Sequence, residues 1–539
     1  MKQLSLILLL VAPSIFFSQT IKTSKDFAVE TGKPYPVVDA KVAKEYFYHD
    51  GQILGVKVGG EITMQVFDAN SLTEKSKKQI PIKKNLPRGF VHEEFVQQGG
   101  KVYQFYNVWD KPNKTEQIFV HEINFKNPGL ENSRNIKRIK GKVIHQGGKN
   151  KIDIAQSFDD SKFLLTYRRY PKSKSDKVNK DRIGMIVFDD NMKMIWEKEI
   201  TMPYTEAKMD NLGYTVDSQG NAYLLARVRT GTKPFLELLK YNNSDTPERT
   251  KIEANGKHFP HGITLKEGKN GIIYCAGFYG EGRSANGVYV SVINRDGAIE
   301  NEQFHDIPLD IINQNKSDRA QKKNKKKESK GKEIGIYELG LDDIIVNDDG
   351  SFILLGEVYF VTRTTTRTSN GSTRTTYHYH FNEMFMTKLT ASGEVSWMKK
   401  MTKRQTYSTS GGGGFGFGGG GFTSFGFGAK IGPDLGYKLM TTGTDHYLLY
   451  LDNIKNLNLP LNKYPANHSS GKGGFLTAYK INDASGDVSK LSLFDLRDVK
   501  GIAVYQFNTS RIVQSSEKEL IVELYKKKKQ DILIRINTK

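Results

Sequence analysis

Apolar residues in this chain come in short runs bounded by Gly, Asp, Asn and Ser, and the runs recur in a fixed order. "DSQGNAYLLARV" (217–228) is a polar turn followed by an apolar run; a loop follows, then a second run from Phe235 to Tyr241 and another turn. "NDDGSFILLGEVYF" (347–360) with "EMFMTKLTASGEV" (383–395) has the same plan. Val, Ile, Tyr and Phe dominate these runs, and no long stretch places apolar residues at i, i+3, i+4 and i+7, so the pattern predicts strands. Another short run precedes the first turn of each unit, as in "LGYTV" or "LDDIIV", and one more follows the second, as in "IWEKEITM". Four strands per unit are expected. About eight such units follow one another, spaced by roughly 50 to 95 residues where loops are inserted.

A unit of about 50 residues is thin for closing its own core, which disfavours an array of separate sandwiches. Small four-stranded sheets that pack face to face around an axis solve that problem. The expected fold is therefore all-β, a β-propeller of seven or eight four-stranded blades with long inserted loops. The turn-plus-strand elements "DSQGNAYLLARV" and "NDDGSFILLGEV" and the closing turns "NRDGAI" and "TASGEV" resemble the blades of bacterial extracytoplasmic β-propellers. In such turns Gly supplies a positive φ and Asp or Asn bonds its own backbone. The resemblance covers nearly all of the chain after residue 40 and implies fold only; no blade ends in the Trp-Asp of the WD40 pattern. A propeller supports many unrelated functions, so activity stays open.

The expected division is a signal peptide at 1–18, a lead-in at 19–40 and a propeller at 41–539 with insertions at 312–335, 361–381 and 405–435. The leader combines Lys2, an apolar run from Leu4 to Phe17 and the small residue Ser18. Its apolar run is shorter than the ~20 residues that span a bilayer, and no later window reads as a membrane helix. The expected location is periplasmic, outer-envelope associated or secreted. The single cysteine, Cys275, lies in an apolar strand-like run, "GIIYCAGFYG", and reads as a buried inert thiol.

Each insertion has its own chemistry. "KKNKKKESKGK" (322–332) lacks periodicity and reads as a solvated, mobile loop. The 361–381 stretch alternates Thr with Arg, turns at Asn370-Gly371 and returns through aromatic residues, the pattern of a projecting hairpin. Its Arg363, Arg367, Arg374, Tyr377, His378, Tyr379 and His380 are candidate contacts for an acidic or sugar-like partner. Two imidazoles make an incomplete metal site, so no metal is expected there. The glycine tract at 408–433 carries Phe415, Phe417, Phe422, Phe425 and Phe427. Those rings either fold back on the propeller or anchor a partner or membrane surface.

The net charge of +21 raises the question of an anionic partner. For an exported protein that points to another envelope protein or an anionic glycan or lipid surface, and away from nucleic acid. No nucleophile elbow, HExxH or phosphate-binding loop occurs, and no cofactor is expected. His258 and His261 in "HFPHG" are the one histidine pair near a blade's start. The sequence favours a non-catalytic binding or scaffold protein; the alternative is a propeller hydrolase or lyase acting on an envelope or environmental polymer. Acidic side chains converging with His258 or His261 in the channel would favour the enzyme.

Overall fold

The computed structural model describes residues 27–145, 150–256, 258–367, 370–410, 435–469, 474–495, 509–526 and 529–538. Within them, eight sheets of at least four strands follow one another, numbered here 1 to 8 in chain order; all strand pairings are antiparallel except that of Gln405–Ser410 with His468–Ser469 in sheet 6. Sheet 1 holds Ala43–His49, Gln52–Val58, Glu61–Asp68 and Thr73–Pro81. Sheets 2 to 7 span 90–140, 143–201, 209–252, 260–306, 339–401 and 438–495. Sheet 8 is built from Ile512–Ser516, Glu519–Lys526 and Gln530–Thr538, with Phe27–Thr31 added along its outer edge.

The turns form as the sequence dictates. The Asp217 carboxylate accepts from the backbone N–H groups of Gln219 (3.0 Å) and Asn221 (2.8 Å), and from the Tyr223 hydroxyl (2.9 Å). Gly220 takes the left-handed backbone, φ 85°, that closes this turn. Asn294 does the same for the closing turn of sheet 5, accepting from Asp296 (3.1 Å) and Ala298 (2.9 Å).

Apart from a small cluster on the sheet 6 hairpin, the apolar clusters lie between sheets. Leu54 and Phe95 share a core between sheets 1 and 2, Tyr103 and Phe163 between 2 and 3, and Leu164 and Leu224 between 3 and 4. The sequence continues through sheets 4–5, 5–6, 6–7 and 7–8. It returns to its start where Ile521 and Leu533 of sheet 8 pack on Ile53 and Phe67 of sheet 1. The cycle of interfaces is closed, as a propeller requires. Cys275 is buried between sheets 4 and 5, and burial pushes its thiol up to about 12.

Two expectations need correction. The 19–40 stretch does more than lead in: Phe27 to Thr31 pair with Thr538 to Ile534, so the wheel reaches back to Phe27. A lone five-residue strand has no turn signal of its own and is recruited only by the opposite end of the chain. The basic stretch at 322–332 is not simply a loop, because helix Asp318–Glu328 runs into it. Ser317 caps it by accepting from Ala320, Asp318 occupies the first turn and Lys325, Lys326 and Lys327 the last, all matched to the helix dipole. None of its residues is buried, so propensity and capping make this helix without the apolar stripe that a periodicity search needs.

Candidate functional site

Four antiparallel strands per sheet fix a polarity for the whole wheel. Connections between successive sheets, and between the second and third strands of one sheet, emerge on one face; the remaining turns emerge on the other. The second set is tight everywhere it is described, as at 50–51, 217–221 and 347–351. Among the described residues every long connection falls in the first set. These include the helical insertion between sheets 5 and 6, the hairpin extension of sheet 6, the strand Gln405–Ser410 that follows it and the segment 453–469. One face is plain and one is decorated.

The hairpin is made by Phe352–Arg367 and Thr373–Leu389, and Gln405–Ser410 adds a third strand along 376–381. Arg363, Arg367 and Arg374 are exposed on it. Tyr377 and Tyr379 lie on its apolar side, with Tyr359, Phe381, Tyr407 and Leu435, where Tyr379 is buried. His378 and His380 lie on the opposite side. The ring nitrogens of His378 meet the Ser408 (2.8 Å) and Thr364 (3.1 Å) hydroxyls, and His380 meets Thr362 (2.9 Å) and Thr406 (3.4 Å). Among the described residues no group of three or more His, Cys, Asp or Glu side chains is placed to hold a metal ion. Phe415, Phe417, Phe422, Phe425 and Phe427 lie outside the described residues.

His258 and His261 line a cleft of about 520 Å³ on the decorated face with Arg227, Arg229 and Glu281. Burial, with Arg227 and His258 adding, pushes His261 down to about 4, so the ring is neutral. Both arginines are clamped on Asp210: Arg227 through Nε at 2.8 Å and Arg229 through Nη2 at 2.8 Å. His258 is paired with the Glu333 carboxylate.

Acidic residues converge elsewhere. The first strand of each sheet is innermost: neighbouring first strands touch one another in sheets 3–4, 4–5, 5–6 and 8–1, while the fourth strands are largely exposed. In sheets 2, 4, 5 and 6 this strand carries a bulge or register shift, at His92/Glu94, Asn211/Gly213, His261/Thr264 and Leu341/Asp343. Such irregularities re-aim side chains. Glu45 and Asp153, from the first strands of sheets 1 and 3, both act on Glu94, from the first strand of sheet 2. Burial pushes Glu94 up to about 8, with the charges of Asp153, Glu45 and Glu93 adding. Burial also raises Glu45 to about 7, against the pull of Lys438. Asp153 is exposed to solvent, and the protein around it shifts its carboxyl upward as well. The pull of Lys438 on Glu45 brings sheet 7 into the same group.

Sequence reasoning missed these three residues. The available signal was positional: Glu45 stands five residues before Asp50, and Glu94 five before Gly99, at the first turns of their units.

The raised carboxyls give a testable pH dependence. The folded chain holds protons near neutral pH that the unfolded chain has released by about pH 4 to 5. Each raised carboxyl therefore makes a stability contribution that is present at low pH and lost as pH climbs toward its folded value. The melting temperature of Glu94→Gln relative to the parent is expected to rise as the pH is raised through this window, because the variant has no proton to lose there. A parallel pair of curves from pH 5 to 9, measured by calorimetry at about one-unit steps, would refute the raised pKa.

No family model and no curated protein sequence matches the chain. Among solved structures it is similar to the WD40 domain of SCAP from fission yeast, with a TM-score of 0.37 and 9% identity over 97% of this chain and 99% of that one. It is also similar to the β-propeller domain of the Trilobed protease from Pyrococcus furiosus, with a TM-score of 0.31 and 11% identity over 67% of this chain and 97% of that one. A prolyl endopeptidase matches with a TM-score of 0.37 and 9% identity over 90% of this chain, which spans 55% of the length of that enzyme.

Proposed function

We propose that the protein is an exported, envelope-associated propeller that works by binding, presenting its decorated face to a partner. One observation carries the reading: every long connection among the described residues emerges on the same face, and the opposite face is closed by tight turns. Loops set on a rigid scaffold are where recognition concentrates. The arginines of the hairpin and the net charge of +21 suit an anionic envelope surface or an acidic partner protein.

The test removes the hairpin and keeps the wheel. A variant with 363–376 replaced by Asn-Gly is expected to melt within about 3 °C of the parent. It is also expected to lose the envelope component that the parent retains in affinity capture. Equal capture by both proteins, with the melting temperature preserved, would remove the hairpin from the binding face.

A second reading has its own support. A carboxyl pushed up to about 8 beside two others is the setting in which one group donates a proton while a neighbour accepts one. In that reading the channel of a propeller hydrolase or lyase holds the reacting bond, and Glu94 acts as general acid. Glu94→Gln would then lower turnover of a glycan polymer by about 100-fold or more. Unchanged turnover would end this reading.

A further inference from the structure

A wide cleft on the decorated face lies where the helical insertion faces the loop at 462–464. Its volume is about 1150 Å³, and it takes its walls from two insertions and from Glu383 of sheet 6. Residues with polar side chains outnumber the aliphatic Leu309 and Ala320 in the lining, and their carbon stems give the cleft apolar surface between its polar groups.

Asn315 is the telling residue. It is 7% exposed, it lines the cleft, and among the described residues neither its amide oxygen nor its amide nitrogen has a hydrogen-bond partner. A buried amide left this way costs free energy until a ligand supplies both an acceptor and a donor. Its backbone is also left-handed, φ 68°, which is tolerated by Asn and is held here by neighbours. Lys400, itself 5% exposed, donates from Nζ to the carbonyls of Ile312 (3.1 Å) and Gln314 (2.9 Å) and pins the segment on which Asn315 sits. Asn313 accepts from the Asn324 side chain (2.7 Å), tying the same segment to helix Asp318–Glu328. The amide is thus fixed in place before any ligand arrives.

The rest of the lining selects the chemistry. Asn313, Gln321 and Asn462 add amides, and Asp310, Asp318, Glu328 and Glu383 add carboxylates, against three lysines, Lys316, Lys325 and Lys463. The signs nearly cancel, so neither a strong anion nor a cation is selected. Amides and carboxylates in number, each able to bridge adjacent hydroxyls, match a ligand rich in groups that donate and accept at once. Tyr464 completes the set: it is 54% exposed at the rim, with the Arg404 guanidinium 5.1 Å from its ring centre, and offers an aromatic surface to the C–H face of a pyranose.

We infer that this cleft is a binding site for a neutral oligosaccharide, held by Asn315 with its amide and carboxylate neighbours and stacked on Tyr464. The inference rests on the decorated-face reading and gives that face one substrate class.

The test titrates the full chain with cellohexaose, maltohexaose and chitohexaose, with hexagalacturonate as the acidic counterpart, by calorimetry. At least one neutral sugar is expected to bind with a Kd between about 1 µM and about 1 mM. Tyr464→Ala, at an exposed position, is expected to weaken that sugar at least about tenfold without a change in melting temperature. Asn315→Gly, which keeps the left-handed backbone accessible, is expected to do the same. Failure of all three neutral sugars, binding of hexagalacturonate alone, or affinity indifferent to Tyr464→Ala would each overturn the inference. The variant lacking 363–376 separates the two claims. If it keeps sugar binding and still captures the envelope component, only the hairpin reading fails.

Discussion

Lys57→Ala is expected to lower the free energy of unfolding by about 3–5 kcal/mol. Lys57 and Glu523 are both fully buried, 2.7 Å apart, where sheet 8 meets sheet 1. Asp531, also buried, lies 3.7 Å from the same ammonium. The Tyr35 hydroxyl donates to Glu523 at 2.9 Å, and Tyr46 donates to it as well. Burial acts to raise the Glu523 carboxyl, but Lys57, Arg511 and Lys44 hold it down to about 2. Truncating Lys57 leaves two carboxyl groups inside the protein without their main counter-charge, and that uncompensated burial is the origin of the loss.

Two opposed signs meet here: burial and the Glu523 charge push Asp531 up to about 7, so its contribution is present in acid and lost as pH rises toward 7, whereas the depressed Glu523 governs the strongly acid range. Its contribution is present above the unfolded carboxyl value, near 4.3, and is lost as pH falls toward about 2. The parent is therefore expected to lose stability in acid faster than Lys57→Ala does. Replacing the pair together, Lys57→Met with Glu523→Leu, should recover part of the loss: an apolar pair removes both desolvation costs, but Asp531, Arg511 and the Tyr35 and Tyr46 hydroxyls each lose a partner. Guanidinium unfolding at pH 7 and pH 3 measures all three proteins. A Lys57→Ala midpoint equal to the parent's would show that the pair contributes nothing to closure.

This junction also shows what could and could not be read from residues alone. The strands and their turns were legible because each is specified locally: Asp217, Gly220 and Asn221 make their turn from neighbours a few residues away. The Asn370-Gly371 hairpin was legible for the same reason. The site was not. Glu45, Glu94 and Asp153 come from three different units, and only the ring brings Glu45 and Asp153 to bear on Glu94. Their strands look like any other half-polar strand, and the bulge beside Glu94 leaves no residue-type signature. Asn315 was hidden differently. Its importance lies in lacking a partner among the described residues, and a sequence cannot display a missing hydrogen bond. Helix Asp318–Glu328, which walls that cleft, has no buried residue and hence no apolar period to detect.

Phe27→Ala is expected to cost about 3–5 kcal/mol, as truncation of a fully buried phenylalanine does elsewhere, and its effect should not stay local. The ring is fully buried and meets Tyr447 of sheet 7 edge-on, with centroids 5.8 Å apart. Val29, 2% exposed, packs in the same cluster with Leu449, Leu476 and Ile534. The strand from Phe27 to Thr31 thus serves two functions: it covers the outer edge of sheet 8 and fills the core between sheets 7 and 8. Because it comes from the far end of the chain, its pairing is the longest-range contact in the wheel and gains nothing until the ring is otherwise assembled. Hydrogen exchange distinguishes a closing strand from a decorative one. If the strand closes the wheel, Phe27→Ala speeds exchange in Gln530–Thr538 and also across the sheet 7 strand Asp445–Asp452, which it never pairs with. If it only covers an edge, the change stops at Gln530–Thr538 and the melting temperature falls by less than about 2 °C, which would overturn the closing role.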